Sequence, residues 1–221
     1  MDTARIAALL APFLEPPLPP AALDQISTYI DLLLRWNGRI NLTAIRHPEQ
    51  IVTRHFGESL FLARHLFPAP PEGAPSRLRL GGDVRVLDIG SGAGFPALPL
   101  KIWAPQIQLT LIESNHKKAT FLREAARALT LTDINVITDR AEVLAARPDF
   151  PRTDMVTLRA VESFEAVLPQ AIALLNPKGT LALLVGAAQI PYLTTLTAVK
   201  WHPPIPLPQS TRRVLAIGIL Q

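Results

Sequence analysis

The run Val84-Arg85-Val86-Leu87-Asp88-Ile89 carries one acid, Asp88, and opens directly into Gly90-Ser91-Gly92-Ala93-Gly94. A strand buried on both faces, then a glycine turn, then a helix, brings bare backbone up to a ligand at the carboxyl end of a parallel strand. The acid beside that turn can receive a cationic group, directly or through water. A second acid, Glu113, closes the apolar run from Gln108 to Ile112. It lies about 20 residues beyond the turn, where nucleotide-binding α/β folds place the carboxylate that takes ribose hydroxyls. The chemistry implied is capture of a ribose-bearing cofactor.

Spacing narrows the choice of cofactor. A dinucleotide fingerprint G-x-G-x-x-G would need its third glycine at position 95, and Phe95 stands there instead. The pattern G-x-G-x-G after a strand-end acid resembles motif I of the Rossmann-like S-adenosylmethionine methyltransferases. That cofactor has a zwitterionic methionine tail and no pyrophosphate, so Gly90 and Gly92 would pass beneath the tail and Asp88 would meet its ammonium group. Phe95 would lend its backbone to the cofactor and its ring to the pocket wall. Glu113 suits the ribose of either adenosylmethionine or NAD. After a third strand, Asp139-Arg140-Ala141-Glu142 forms a corner where Ala141 and Glu142 would meet the adenine edge. Arg159, at the tip of a fourth strand, is the candidate catalytic residue; it can reach the cofactor's carboxylate or the O6 of a base. The competing reading of Arg159 is a surface arginine paired to Glu162 or Glu165.

These tips require a scaffold, and the apolar periodicity supplies one. Strands are expected over 84–89, 108–113, 134–138, 154–158 and 180–185, alternating with helices over 97–103, 116–129, 141–146 and 163–175. That order predicts an α/β fold with a doubly wound, mostly parallel sheet. Two further strands near 197–202 and 213–219, joined by Pro203–Pro208, would add an antiparallel strand at the carboxyl end. Ahead of them lies a helical extension: a first amphipathic helix, a second over 21–37, and a third from about 48 to 65. Residues 1–75, ending in the proline-rich linker 68–75, would form this extension, and 76–221 the cofactor-binding domain.

Composition excludes several chemistries. With no cysteine among 221 residues there is no disulfide, thiolate zinc site or covalent cysteine mechanism, and no metal ligand set is expected. Hydrophobic residues at 48% and charged residues at 18% belong to a compact globular chain. No apolar run reaches the length of a membrane span. Asp2 and Glu15 argue against a secretory signal at the start, which reads as the first helix of a cytoplasmic protein. A net charge of +4 is compatible with a nucleic-acid partner without requiring one.

Several segments together resemble the ribosomal RNA small subunit methyltransferase G family, also called glucose-inhibited division protein B. They are Trp36-Asn37 with Asn41-Leu42-Thr43, then Arg54-His55 with Glu58-Ser59, Asp88 to Leu100, Glu113-Ser114, Lys117-Lys118 with Phe121-Leu122, Arg140-Ala141-Glu142 and Arg159-Ala160. Glu58 stands where the family has aspartate and Ala97 where it has glycine. Val185 precedes Gly186 where it has lysine, and Gly218 replaces a lysine expected after the last strand. The resemblance implies transfer of a methyl group from S-adenosylmethionine to N7 of a guanine in a loop of 16S ribosomal RNA, with naked RNA or the small ribosomal subunit as partner. A monomer is expected, because it would leave the crevice open. It leaves Arg140 and Arg212 as candidate RNA contacts, each equally readable as a solvated charge.

The chemistry accords with that implication. Guanine N7 has an in-plane lone pair and no proton, so alignment suffices and no general base is required. The (N/D)-P-P-(Y/F) tetrapeptide common to amine methylation in this fold is absent from the chain. Asn37 and Asn41 around Gly38, with Thr43, are explained by helix termination and capping, and His55 by packing. Three other readings stay open: an NAD-dependent oxidoreductase, a small-molecule O-methyltransferase and a non-catalytic RNA-binding module.

Overall fold

The computed structural model describes residues 1–67, 84–161 and 163–221. The proline-rich linker expected over 68–75 and the acid Glu162 fall outside the described residues. Five parallel strands form the centre of one sheet: β1 (Arg85–Ile89), β2 (Gln108–Ile112), β3 (Ile134–Ile137), β4 (Thr153–Arg159) and β5 (Leu175–Gly186). With β6 (Val199–Trp201), β7 (Ile205–Pro206) and β8 (Arg213–Leu220), the order is β3-β2-β1-β4-β5-β8-β6, and β7 pairs with β8. β8 runs antiparallel to β5. The order reverses at β1, which lies between β2 and β4, and such a switch point opens a crevice above the strand ends.

Both faces of the sheet are apolar, with the period of two that a pleated strand imposes. Val86, Leu109, Met155, Leu184 and Leu215 face one core, and Leu87, Ile112, Val156, Leu183 and Val214 face the other. The second core is closed by α7 (Ala141–Ala145), α8 (Phe164–Ala173) and α9 (Ile190–Leu193), through Leu144, Leu168 and Leu193. The first is closed by α5 (Ala97–Trp103) and α6 (His116–Ala128) together with the amino-terminal helices α1 (Thr3–Leu10) and α2 (Pro20–Asn37). Ile26, Tyr29, Ile30 and Leu33 of α2 are almost wholly buried there. The helical layer therefore shares its core with the sheet.

The third expected helix has a different winding. It starts as α3 (Pro48–Gln50), widens into a π-helical stretch over Ile51–Gly57, and returns to α-helix in α4 (Glu58–Leu66). Gly57 lies under the Phe13 ring, only 2.8 Å from where a Cβ would be. Such wide turns redirect side chains and recur at functional sites. β5 begins earlier than its apolar run suggests. Leu175 already pairs with Thr153, and the ladder then shifts across residues 176–179 before resuming at Thr180. β7, hidden in the connection read as proline-rich, gains only an edge pairing to β8. Gly218 sits inside β8, not after it: a Cβ there would lie 2.4 Å from Val199 and 2.7 Å from Trp201, so a lysine has no room.

One bond ties the helical layer to the glycine turn. Tyr29 Oη, fully buried, donates to the Ala93 carbonyl, and burial together with the nearby Asp88 charge keeps the phenol protonated far above its usual range. Tyr29→Phe leaves that carbonyl unpaired and is expected to cost about 1–3 kcal/mol in urea unfolding with the fold retained. An unchanged unfolding midpoint would show that the bond does not anchor the turn.

Candidate functional site

At the carboxyl end of β1 the chain turns through three glycines with left-handed φ: Gly90 at +69°, Gly92 at +53° and Gly94 at +82°. Their roles differ. A Cβ on Gly94 would strike Tyr29 and Leu98, and one on Gly90 would strike Val161, so both make room for packing. Gly92 has nothing nearer than the Gly90 carbonyl at 3.7 Å, so the space above it is open. Four of the turn's amides are already committed. Gly90 and Ser91 donate to the Ile112 carbonyl at 2.9 and 3.1 Å, Gly92 to Glu113 Oε2 at 2.8 Å and Gly94 to the Ser91 carbonyl at 2.6 Å. A pyrophosphate needs such amides free, so this turn does not support the dinucleotide reading.

Glu113 is buried and clamps two loops, taking the Gly92 amide on Oε2 and the Asn115 amide on Oε1, the latter also at 2.8 Å. It is not a helix cap; Asn115 caps α6 through the amides of Lys117 and Lys118. Asp88 is 1% exposed. Its Oδ1 accepts from Thr157 Oγ1 at 2.6 Å, and its Oδ2 is buried with no donor. Burial raises its pKa to about 6, against the bond from Thr157.

Two adjoining cavities open above the strand ends, with Val161 in the wall of both. The larger, about 530 Å³, is lined by Gly90, Ile112, Asp139, Arg140, Ala141 and Glu142 among others. The corner expected to meet a cofactor is thus brought beside the glycine turn. Arg140 is exposed there and pairs with Glu142 at 3.5 Å. The smaller cavity, about 340 Å³, is lined by Arg54, His55, Arg159, Val185, Gly186 and Arg213 among others.

Arg159 is neither on the surface nor paired with Glu165. Its side chain is 9% exposed, donating to the Arg54 carbonyl at 2.7 Å and to Glu58 Oε2 at 3.3 Å. Glu58, 1% exposed, also meets Arg54 at 3.3 Å and Arg213. Desolvation, then the charge of Arg54, lowers Arg159 and Arg213 to about 10, and both stay charged at neutral pH. Phe95 is a core residue: its ring stacks between His55 at 4.7 Å and Tyr29 at 5.3 Å, and it lines neither cavity. Arg212 is exposed and lines neither cavity.

The amino-terminal signatures organise this wall. Asn37 Oδ1 accepts from the Leu42 and Thr43 amides, and Gly38 keeps right-handed φ, so the helix ends on a side-chain bridge without a glycine cap. Thr43 Oγ1 accepts from the Ile45 amide and bonds His55 Nε2 at 2.8 Å. Burial, then the charges of Arg159, Arg54 and Arg213, holds His55 neutral, with its pKa lowered to about 3. Its buried Nδ1 has no partner. Glu58, Arg213, Thr157 and Tyr29 were not singled out as working residues from sequence. The available signals were the i, i+4 spacing of Arg54 and Glu58, and the strand period that turns Arg213, with Leu215, toward the helical layer.

The Asp88 carboxyl makes stability depend on pH. Unfolded, it titrates near 3.8; folded, at about 6. The folded state holds the proton more tightly, so stability falls as pH rises through that window, by about 3 kcal/mol in all, and levels off above it. Asp88→Asn removes the effect. Its stability relative to the parent should be higher at pH 7.5 than at pH 4.5 in urea unfolding; the same difference at both pH values would contradict a raised pKa.

The fold is shared with solved methyltransferases. A ribosomal protein L11 methylase from Lactobacillus delbrueckii subsp. bulgaricus superposes with a TM-score of 0.56 at 16% identity, covering 75% of this chain and 80% of that one. Among curated relatives, ribosomal RNA small subunit methyltransferase G of Chloroflexus aggregans is 41% identical over 169 residues, 75% of this chain and 64% of that protein. The protein of the same name from Xanthomonas axonopodis pv. citri is 37% identical over 191 residues, 84% and 82% respectively. The match thus spans under two thirds of the first and most of the second. The model of the rRNA small subunit methyltransferase G family matches residues 22–198, within which lie the glycine turn, Glu58 and Arg159. This chain belongs to that family.

Proposed function

We propose that the protein transfers a methyl group from S-adenosylmethionine to N7 of a guanine in a loop of 16S ribosomal RNA, as a cytoplasmic enzyme working on RNA or the small subunit. The observation that carries this reading is Asp88 Oδ2, buried without a donor on the strand that leads into the glycine turn, where Gly92 faces open space, in a member of this family. The donor set fits the cofactor. Asp88 would take its ammonium group, Gly90 and Gly92 would pass beneath its tail, Glu113 has lone pairs left for ribose hydroxyls, and Ala141 and Glu142 edge the cavity where adenine would lie. When bound, the cofactor supplies a methyl group on a sulfonium centre.

The remaining work belongs to the chain, and it is positioning. Guanine N7 offers its lone pair without losing a proton, so the site needs no base, and His55 is held as a weak one. The helical layer and the Glu58 cluster form the walls that exclude water and hold the base in line. Arg159, fixed by the Arg54 carbonyl and Glu58, presents its remaining donors toward O6 or a carboxylate. A base must leave its stack to enter so small a site, which favours a loop.

Unmodified 16S ribosomal RNA or small subunits, incubated with labelled cofactor and digested to nucleosides, should yield 7-methylguanosine by mass spectrometry. Label confined to small metabolites, or intact cofactor binding without transfer to RNA, would refute the reading. Gly92→Val should reduce cofactor affinity at least a hundredfold by calorimetry with far-ultraviolet dichroism retained. Affinity that survives this change would place the cofactor elsewhere.

A further inference from the structure

The smaller cavity holds more positive charge than the fold requires. Three guanidinium groups converge on the single carboxylate of Glu58, two at 3.3 Å and the third, Arg213, in direct contact. One carboxylate cannot neutralise three cations, and buried ion clusters of this kind rarely repay their desolvation as stability. The cluster draws its members from the π-helical stretch, the tip of β4 and the start of β8, so the fold assembles it from distant segments. Exposure separates the three arginines. Arg159 is sealed at 9%, Arg54 is loose at 51%, and Arg213, at 22%, is both held and reachable. Arg213 lies opposite Gly186 in the β5–β8 ladder, where a Cβ on Gly186 would find nothing nearer than 3.7 Å. Beside it Val185, at the position where lysine was expected, offers only carbon. The cation on that side of the cavity comes from β8.

We infer that this cavity seats a phosphate of the target nucleotide and that Arg213 is the residue that grips it, with Glu58 as its positioning residue. The inference rests on the RNA-methylating reading above. Methyl transfer requires the target nucleotide beside the cofactor; the cavity sharing Val161 with the cofactor cavity is where it must enter, and each nucleotide brings one phosphate. A guanidinium keeps donors free for a phosphate after binding one carboxylate.

The test measures binding apart from catalysis. Affinity for an unmodified 16S ribosomal RNA fragment is titrated at several salt concentrations, alongside cofactor affinity and Tm, for the parent, Arg213→Gln and Arg213→Lys. Loss of one phosphate contact should weaken RNA binding about tenfold for Arg213→Gln at low salt. It should also flatten the slope of log K against log salt by about 0.7, with cofactor affinity unchanged. Arg213→Lys should keep the slope, because it keeps the charge. An unchanged slope in Arg213→Gln overturns the inference, whether or not Tm falls, and so does a loss of cofactor affinity with RNA binding intact. If the parent binds RNA with the expected slopes yet never methylates it, the functional reading fails and the phosphate seat stands.

Discussion

A guanidinium taken out of water without a counter-ion costs several kcal/mol, and this protein withdraws Arg159 almost completely and Arg213 largely. Glu58 makes both possible. Its carboxylate is the point at which the helical layer, the tip of β4 and the antiparallel strand β8 are joined by charge as well as by packing. Removing it would leave three cations facing one another, and the wall between helical layer and sheet edge would have to open. The π-helical winding just before it brings the Arg54 carbonyl into Arg159's reach and Gly57 under the Phe13 ring. The unusual helix and the buried carboxylate are thus parts of one device.

The two acids near the glycine turn are handled oppositely. Glu113 has each oxygen on a backbone amide and works as a clamp for the turn. Asp88 has one oxygen satisfied and one left bare in a dry environment, which costs the protein stability near neutral pH. Evolved cores seldom keep such a defect without use. A ligand ammonium at Oδ2 would relieve it, so binding energy is stored where the cofactor's charge is expected. Tyr29, donating to Ala93 from the helical layer, makes the geometry of this turn depend on residues far from it in sequence.

Much of the architecture was legible from periodicity. The strand and helix order, the apolar runs of β1, β2 and β4, and the helix after the glycine turn follow from period, run length and flanking turn residues taken together. What failed did so locally: β5 starts before its apolar run, β7 hides among prolines, and the third helix contains a wide turn that no hydrophobic repeat announces. Among site residues, Gly90, Ala141, Glu142 and Arg140 do meet at one cavity. Phe95 was read too generously, since its ring is committed to the core.

Sequence by itself determined the glycine turn and the sheet that presents it, because a glycine turn after a strand-end acid is a local matter of backbone freedom and spacing. Tertiary structure alone decided who partners whom. That Arg159 answers to Glu58 and not to Glu165, and that Arg213 enters the cavity while Arg212 stays outside, depends on strand register and on the face each side chain takes in the pleat. Charges separated by a hundred residues find each other only after the core has closed, and no pattern along the chain encodes that distance.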